Sequence, residues 1–186
     1  MEMKDFFISN ASDFRFERKY FIEGSSTASV EQIVKLHPEI FREVYHERMI
    51  NSIYFDSHDL ENYFENIYGI SKRLKVRIRW YGNLFGHIEE PTLELKLKNN
   101  LTNAKLLYPL MPFILDNDFN IETVHNTFKN SSLEGSFKSY LVGLKFSLLN
   151  RYKRKYFLSS DKKFRITIDS NMTVHKIDPY KNTFLN

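Results

Sequence analysis

The residues best placed to do chemistry are cations at every second position. Arg73, Lys75, Arg77 and Arg79, followed by Tyr81, alternate with Leu74, Val76, Ile78 and Trp80. Successive side chains of a strand point to opposite faces, so this segment carries one cationic face and one apolar face. The same sorting separates Glu94, Lys96 and Lys98 from Leu93, Leu95 and Leu97, and Arg165, Thr167 and Asp169 from Phe164, Ile166 and Ile168. A looser version sets Arg15, Glu17 and Lys19 against Phe14, Phe16, Arg18 and Tyr20.

Two arrangements accommodate such faces. They form the solvated outside of a sheet packed on one side, or they turn inward and line the lumen of a closed barrel whose apolar faces are covered by helices. Outer faces usually mix signs, because single-sign fields are self-repulsive, and the strand carrying Arg73 to Arg79 is purely cationic. Lys and Arg inside a barrel need an anionic filler, since unpaired buried charge is expensive. Polyphosphate is the obvious chemical class, because Arg offers a rigid bidentate fork to phosphate oxygens and Lys a mobile point charge. Glu17, Glu94 and Asp169 lie on the same faces and admit two roles. They can hold a Mg²⁺ or Mn²⁺ that bridges phosphate oxygens, or they can pair with the bases and orient them.

Composition narrows the field. The chain has 186 residues, 42% hydrophobic and 27% charged, which suits one globular domain over residues 1–186. With no Cys there is no disulfide, thiolate nucleophile or Cys-ligated metal. The six His form no HxH or HExxH spacing, and GxxxxGK[ST], GxGxxG and GxSxG are all absent. The longest apolar stretch, Leu106 to Leu115, is interrupted by Pro109 and Pro112 and falls well short of the roughly 20 residues that cross a bilayer. The N-terminus does not read as a secretory signal, and a cytoplasmic location is expected. A net charge of +4 favours anionic partners without choosing among them.

Periodicity predicts strands over Phe14–Glu23, Arg48–Asp56, Arg73–Tyr81 and Thr92–Lys98, with another beginning at Lys105–Leu107. Helices are expected over Ser29–Leu36, over Leu60–Tyr68 with Gly69 at its end, and through most of Asn120–Phe146 with a break near Ser131. Strands return at Asn150–Leu158, Phe164–Asp169 and Met172–Lys176. An α+β chain dominated by antiparallel strands, with short flanking helices, closes most naturally as a barrel.

The segments FRFERKYFI (14–22), NSIYFDS (51–57), KVRIRWYG (75–82), LELKLK (93–98), RYKRKYF (151–157) and FRITID (164–169) occur in an order that resembles the VTC polyphosphate polymerase domain. That family belongs to the triphosphate tunnel metalloenzyme, or CYTH-like, superfamily. The resemblance implies an antiparallel β-barrel tunnel that binds triphosphate, nucleotide or polyphosphate. It further implies transfer of the ATP γ-phosphoryl group to a polyphosphate chain with a divalent metal, Mn²⁺ or Mg²⁺. Carried onto these positions, Lys19, Arg77, Arg79, Lys96 and Arg154 would grip phosphate. By the same resemblance Tyr54, Lys105 and Arg165 would add substrate contacts, while the alternating faces themselves add Lys75 and Lys98 as substrate contacts and Glu17, Glu94 and Asp169 as the candidate metal ligands.

Two features depart from the family pattern. The opening ExExK signature stands here as Arg15-Phe16-Glu17-Arg18-Lys19, and no ExK segment follows Asp169, so a tunnel lacking the family's last strands is expected. The alternatives are a triphosphate or polyphosphate hydrolase, and a noncatalytic module for polyphosphate or inositol phosphates. No nucleic-acid partner is expected, and the oligomeric state is not legible.

Overall fold

The computed structural model describes residues 3–184. In chain order the elements are α1 (Met3–Asn10), β1 (Arg15–Phe16), α2 (Thr27–Lys35), β2 (Arg42–Asp56), α3 (Glu61–Ile67), β3 (Lys72–Tyr81), β4 (Gly86–Ile88), β5 (Thr92–Asn99), β6 (Thr102–Pro109), β7 (Phe113–Leu115), α4 (Ile121–Asn130), α5 (Gly135–Val142), β8 (Lys145–Leu158) and β9 (Arg165–His175). Seven strands form one curled antiparallel sheet in the order β1-β6-β5-β3-β2-β8-β9, and β4 pairs with β7 separately. The large sheet is a half-barrel with β1 and β9 at its edges, which gives the α+β class expected from the alternation.

The apolar face of this sheet packs on the helices and on the small sheet. Val76, Ile78, Leu93, Leu95 and Leu97 are fully enclosed. They share one core with Phe7 of α1, Phe128 of α4 and Phe137 and Leu141 of α5. Aromatic edges stitch the layers together, with the Phe7 and Phe137 rings 4.9 Å apart and those of Trp80 and Phe113 6.1 Å apart. Helix α2 covers the β8–β9 end of the same face, where Val34 and Phe41 meet Phe157. No helix among the described residues is long and apolar enough to cross a membrane.

The opposite face carries the charges. Glu94 is 0% exposed and Arg77 only 8%, both on central strands of the curled sheet. Helix α3 sits at one end of this face, where Arg73 donates to the Glu65 carbonyl at 3.2 Å and Lys75 to Asn66 Oδ1 at 3.1 Å. Leu60 precedes α3 with a φ of 56° and supplies no side-chain cap. Asp56 takes over that role from the end of β2, accepting from the amides of Asn62 at 2.9 Å and Tyr63 at 3.0 Å. Gly69, at φ 69°, closes the helix, and the Ile70 amide bonds back to the Glu65 carbonyl, a Schellman arrangement that needs the left-handed residue.

Strand β2 starts at Arg42, ahead of the expected Arg48, and α1, β4 and β7 stand where the sequence pattern predicts no element; three further differences have a local physical cause. The strand expected over Phe14–Glu23 pairs only at Arg15 and Phe16, because Phe16 lies opposite Thr102, the first residue of β6. The next position would oppose Leu101 in the β5–β6 turn, so the ladder runs out of partner. The expected helical run to Phe146 ends at Val142, and Lys145 and Phe146 already belong to β8. The two tail strands are one, β9. Its interruption is a bulge in which Asn171, at φ 52°, and Met172 face Tyr152 between the Arg151–Thr173 and Lys153–Ser170 pairs.

Candidate functional site

Strand register assembles the charged face. Arg77 lies between Tyr54 of β2 and Glu94 of β5, Lys75 opposes Lys96, and Lys96 in turn opposes Lys105 of β6. The centre is the Glu94 carboxylate. Arg77 Nη2 donates to its Oε1 at 2.8 Å, Arg79 Nη1 lies 2.9 Å from Oε2, and Lys105 Nζ is 3.4 Å from Oε1. Arg77 also donates to the Tyr54 hydroxyl at 3.0 Å. The Arg79 approach is an ion pair without hydrogen-bond geometry: Oε2 of Glu94 and the Nε groups of Arg77 and Arg79 are buried with no hydrogen-bond partner among the described residues. Buried N–H groups in that condition cost free energy until an acceptor reaches them.

Two smaller clusters flank this centre. Lys96 donates to both Glu17 oxygens, at 3.0 and 3.2 Å, and Lys19 approaches the same carboxylate at 3.7 Å. Arg154 makes a bidentate pair with Asp169 and packs over the Tyr152 ring at 5.1 Å. Three carboxylates thus answer six cations, with Lys75 beyond them. Electrostatics register the excess. Burial pushes the Lys75 ammonium below its ordinary range, and Arg73, Lys19 and Lys96 push it further. Burial likewise lowers Lys96, with Lys19 and Arg77 adding to it, and Lys105, with Arg77, Lys96 and Arg79 adding to it; the attraction of Glu17 and Glu94 does not restore them. Burial works to raise Glu94, yet Arg77, Lys105 and Arg79 together hold it below the usual carboxylate range. Glu17 is held low in the same way, with Lys96 overcoming burial.

The structure therefore brings Arg77, Arg79, Lys96, Lys105, Lys19, Lys75 and Tyr54 into one patch, with Arg154 on the adjoining strand. Lys98 lies at the α3 end, opposite Arg73 and Asn103. Arg165 is exposed at the start of β9, outside the patch. Glu17, Glu94 and Asp169 do not converge: each is taken by its own cations, and among the described residues no three His, Asp or Glu side chains gather as metal ligands. These donors do not fit a resident Mn²⁺ or Mg²⁺.

Sequence reasoning passed over Arg48, Ser52, Asn150, Tyr152 and Tyr156. All five follow the alternation of β2 and β8, since Ser52 opposes Arg79 and Asn150, and Arg48 opposes Arg154; counting parity through those strands finds them. Tyr45 has no such signal. A bulge between Tyr45 and Arg48 puts both on the same face despite their odd spacing.

Fold and site together define an α+β half-barrel whose inner face is lined by Arg, Lys and Tyr with cations in excess. The pattern of the VTC domain family matches residues 14–184, nearly the whole chain, and the protein belongs to that family. A comparison with curated proteins finds no match.

Proposed function

We propose that the inner face binds the phosphate chain of polyphosphate or of a nucleoside triphosphate. On this reading the protein is a polyphosphate polymerase-like domain that passes the γ-phosphoryl group of ATP to the end of a polyphosphate chain. One observation carries the reading: a buried surplus of cations around Glu94, with two arginine Nε–H groups lacking an acceptor and three lysines held below their ordinary pKa. Phosphate oxygens supply both the missing acceptors and the missing charge. Membership of the VTC family supports a polyphosphate-related role.

Phosphoryl transfer asks mainly for positioning and charge neutralisation. A terminal oxygen of the acceptor chain forms a bond to the γ-phosphorus. The bond from that phosphorus to the oxygen bridging to the β-phosphate breaks, and ADP leaves with the electron pair. Arg77 and Arg79, fixed by Glu94, hold the transferring group, while Lys96 and Lys105 neutralise charge that builds on the bridging oxygen. A divalent cation enters this scheme as the counter-ion of the nucleotide, hence as part of the substrate. A second reading, a noncatalytic binder of polyphosphate or inositol phosphates, is favoured by the separation of the three carboxylates.

Calorimetric titration of tripolyphosphate into the wild type and an Arg79→Gln/Lys96→Gln variant tests the binding face. Tight wild-type binding that falls by a factor of ten or more in the variant is expected from the loss of two charge-assisted contacts. Equal affinities would sink the reading. Incubation with ATP then separates the roles: chain growth marks the polymerase, consumption of tripolyphosphate the hydrolase, and binding without turnover the module.

A further inference from the structure

At the end of the inner face occupied by Arg79 and Arg154, lysines give way to rings. The Arg48 guanidinium lies 4.6 Å from the ring centre of Tyr45, 5.3 Å from that of Tyr81 and 5.9 Å from that of Tyr156. Tyr81 is shared with Arg79, whose guanidinium is 5.3 Å from the same ring, and Tyr156 is shared with Arg154 at 6.0 Å. The cage is therefore continuous with the phosphate-binding cluster. It is also accessible, since Tyr45 is 48% and Tyr81 45% exposed. Among the described residues Arg48 has no carboxylate within ion-pair distance, unlike Arg77, Arg79 and Arg154. The β2 bulge is what brings Tyr45 to this face beside Arg48, and bulges commonly re-aim side chains next to functional sites.

Exposed aromatic rings beside an uncompensated guanidinium suit a ligand with a flat π-surface joined to a phosphate. We propose that Arg48, Tyr45, Tyr81 and Tyr156 form a nucleoside site, in which the base stacks on the exposed tyrosine rings and Arg48 meets the phosphate nearest the ribose. The inference rests on the phosphate-binding reading of the inner face and assigns a direction to it: the nucleoside sits at the Arg48 end and the γ-phosphate points toward Arg77 and Lys96. Because every base presents a π-face, stacking of this kind tolerates different bases, so ATP and GTP bind alike.

The test titrates ATP, GTP and tripolyphosphate at matched salt into the wild type, a Tyr45→Ala variant and a Tyr45→Phe variant, Tyr45 being the ring that no phosphate-binding arginine shares. Loss of base stacking weakens both nucleotides by about tenfold in the alanine variant. Tripolyphosphate affinity stays unchanged, and the phenylalanine variant restores nucleotide binding. A parallel loss for tripolyphosphate, or no loss for the nucleotides, overturns the nucleoside site while leaving the phosphate face standing. Failure of the wild type to bind tripolyphosphate removes the phosphate face itself and the nucleoside site with it. Quenching of ethenoadenosine triphosphate fluorescence by the wild-type protein decides the matter without a variant: saturable quenching is expected, and its absence with bound nucleotide overturns stacking.

Discussion

Glu94 is the residue on which the charged face turns. It lies under three cations with no exposure of its own, so removing its charge leaves Arg77, Arg79 and Lys105 facing each other in a partly desolvated place. A Glu94→Gln substitution is expected to cost about 3 kcal/mol, the scale for breaking a buried ion pair, and tripolyphosphate is expected to recover part of the loss by replacing the missing negative charge. Urea unfolding with and without tripolyphosphate measures both. The depressed lysines make a second, pH-dependent expectation. Lys75, Lys96 and Lys105 lose protons at a lower pH in the free protein than the ordinary 10.5, and a bound polyanion raises them again. Binding then takes up protons in alkaline solution above the free-state pKa, and affinity falls as pH rises through that window. Below it the lysines are charged in both states and no uptake occurs. Titration in buffers of different ionisation enthalpy reads this directly; binding without proton uptake, and with affinity flat as the free lysines titrate, would exclude the three lysines from the binding surface. The carboxylates carry the opposite dependence. Glu94 and Glu17 have lowered folded-state pKa values, so their stabilising contribution is present above the unfolded value and is lost as pH falls through the folded one.

Strands β3 and β5 declare their own sidedness, because a perfect two-residue alternation fixes which side chains share a face. That is why the common face of Arg77, Arg79, Lys96 and Glu94 was legible before any fold was known. What alternation cannot carry is interruption. The Tyr45–Arg48 and Asn171–Met172 bulges each shift parity by one, which hid Tyr45 and made a single β9 look like two strands. The residues after Phe16 read as strand, yet a pattern within one segment is blind to the length of its partner, and β6 starts at Thr102. Nor does face sorting reveal pairing: the separate commitments of Glu17, Glu94 and Asp169 depend on diagonal neighbours across three strands. Helix α3 illustrates a further long-range dependence, because its N-terminal amides rely on Asp56 rather than on a residue of its own first turn. Asp56→Ala is expected to lower stability by about 1–2 kcal/mol and to loosen the helix that carries the Arg73 and Lys75 acceptors. Amide exchange over residues 61–67 should accelerate while the β3–β5 amides stay protected; unchanged exchange in α3 would show that Asp56 does not hold it.

At the scale of the molecule, the sheet stores apolar burial on one side and unneutralised charge on the other, so the proposed polyanion binding would be thermodynamically linked to the fold. Tripolyphosphate at 100 times its dissociation constant should stabilise the native state by about 2.7 kcal/mol, read as a rise in Tm. That rise should shrink steeply with added salt, since exposed parts of the field are screened over about 10 Å at 0.1 M. On the proposed function chelator should not alter it, because the cations assigned to phosphate belong to the protein. A Tm shift abolished by EDTA would instead place a metal at the centre of binding. The two-sided sheet also constrains how such a gene can change length. Losing one codon within Lys72–Tyr81 would turn Arg77 and Arg79 into the hydrophobic layer and present Ile78 to water, since a one-residue slip exchanges the faces of a strand. Losing two codons restores the sidedness and moves the cations along the strand by roughly 6.6 Å. Deletions in this strand are therefore graded by whether they are odd or even, and insertions in the β5–β6 turn, which touch neither face, are expected to be the tolerated ones.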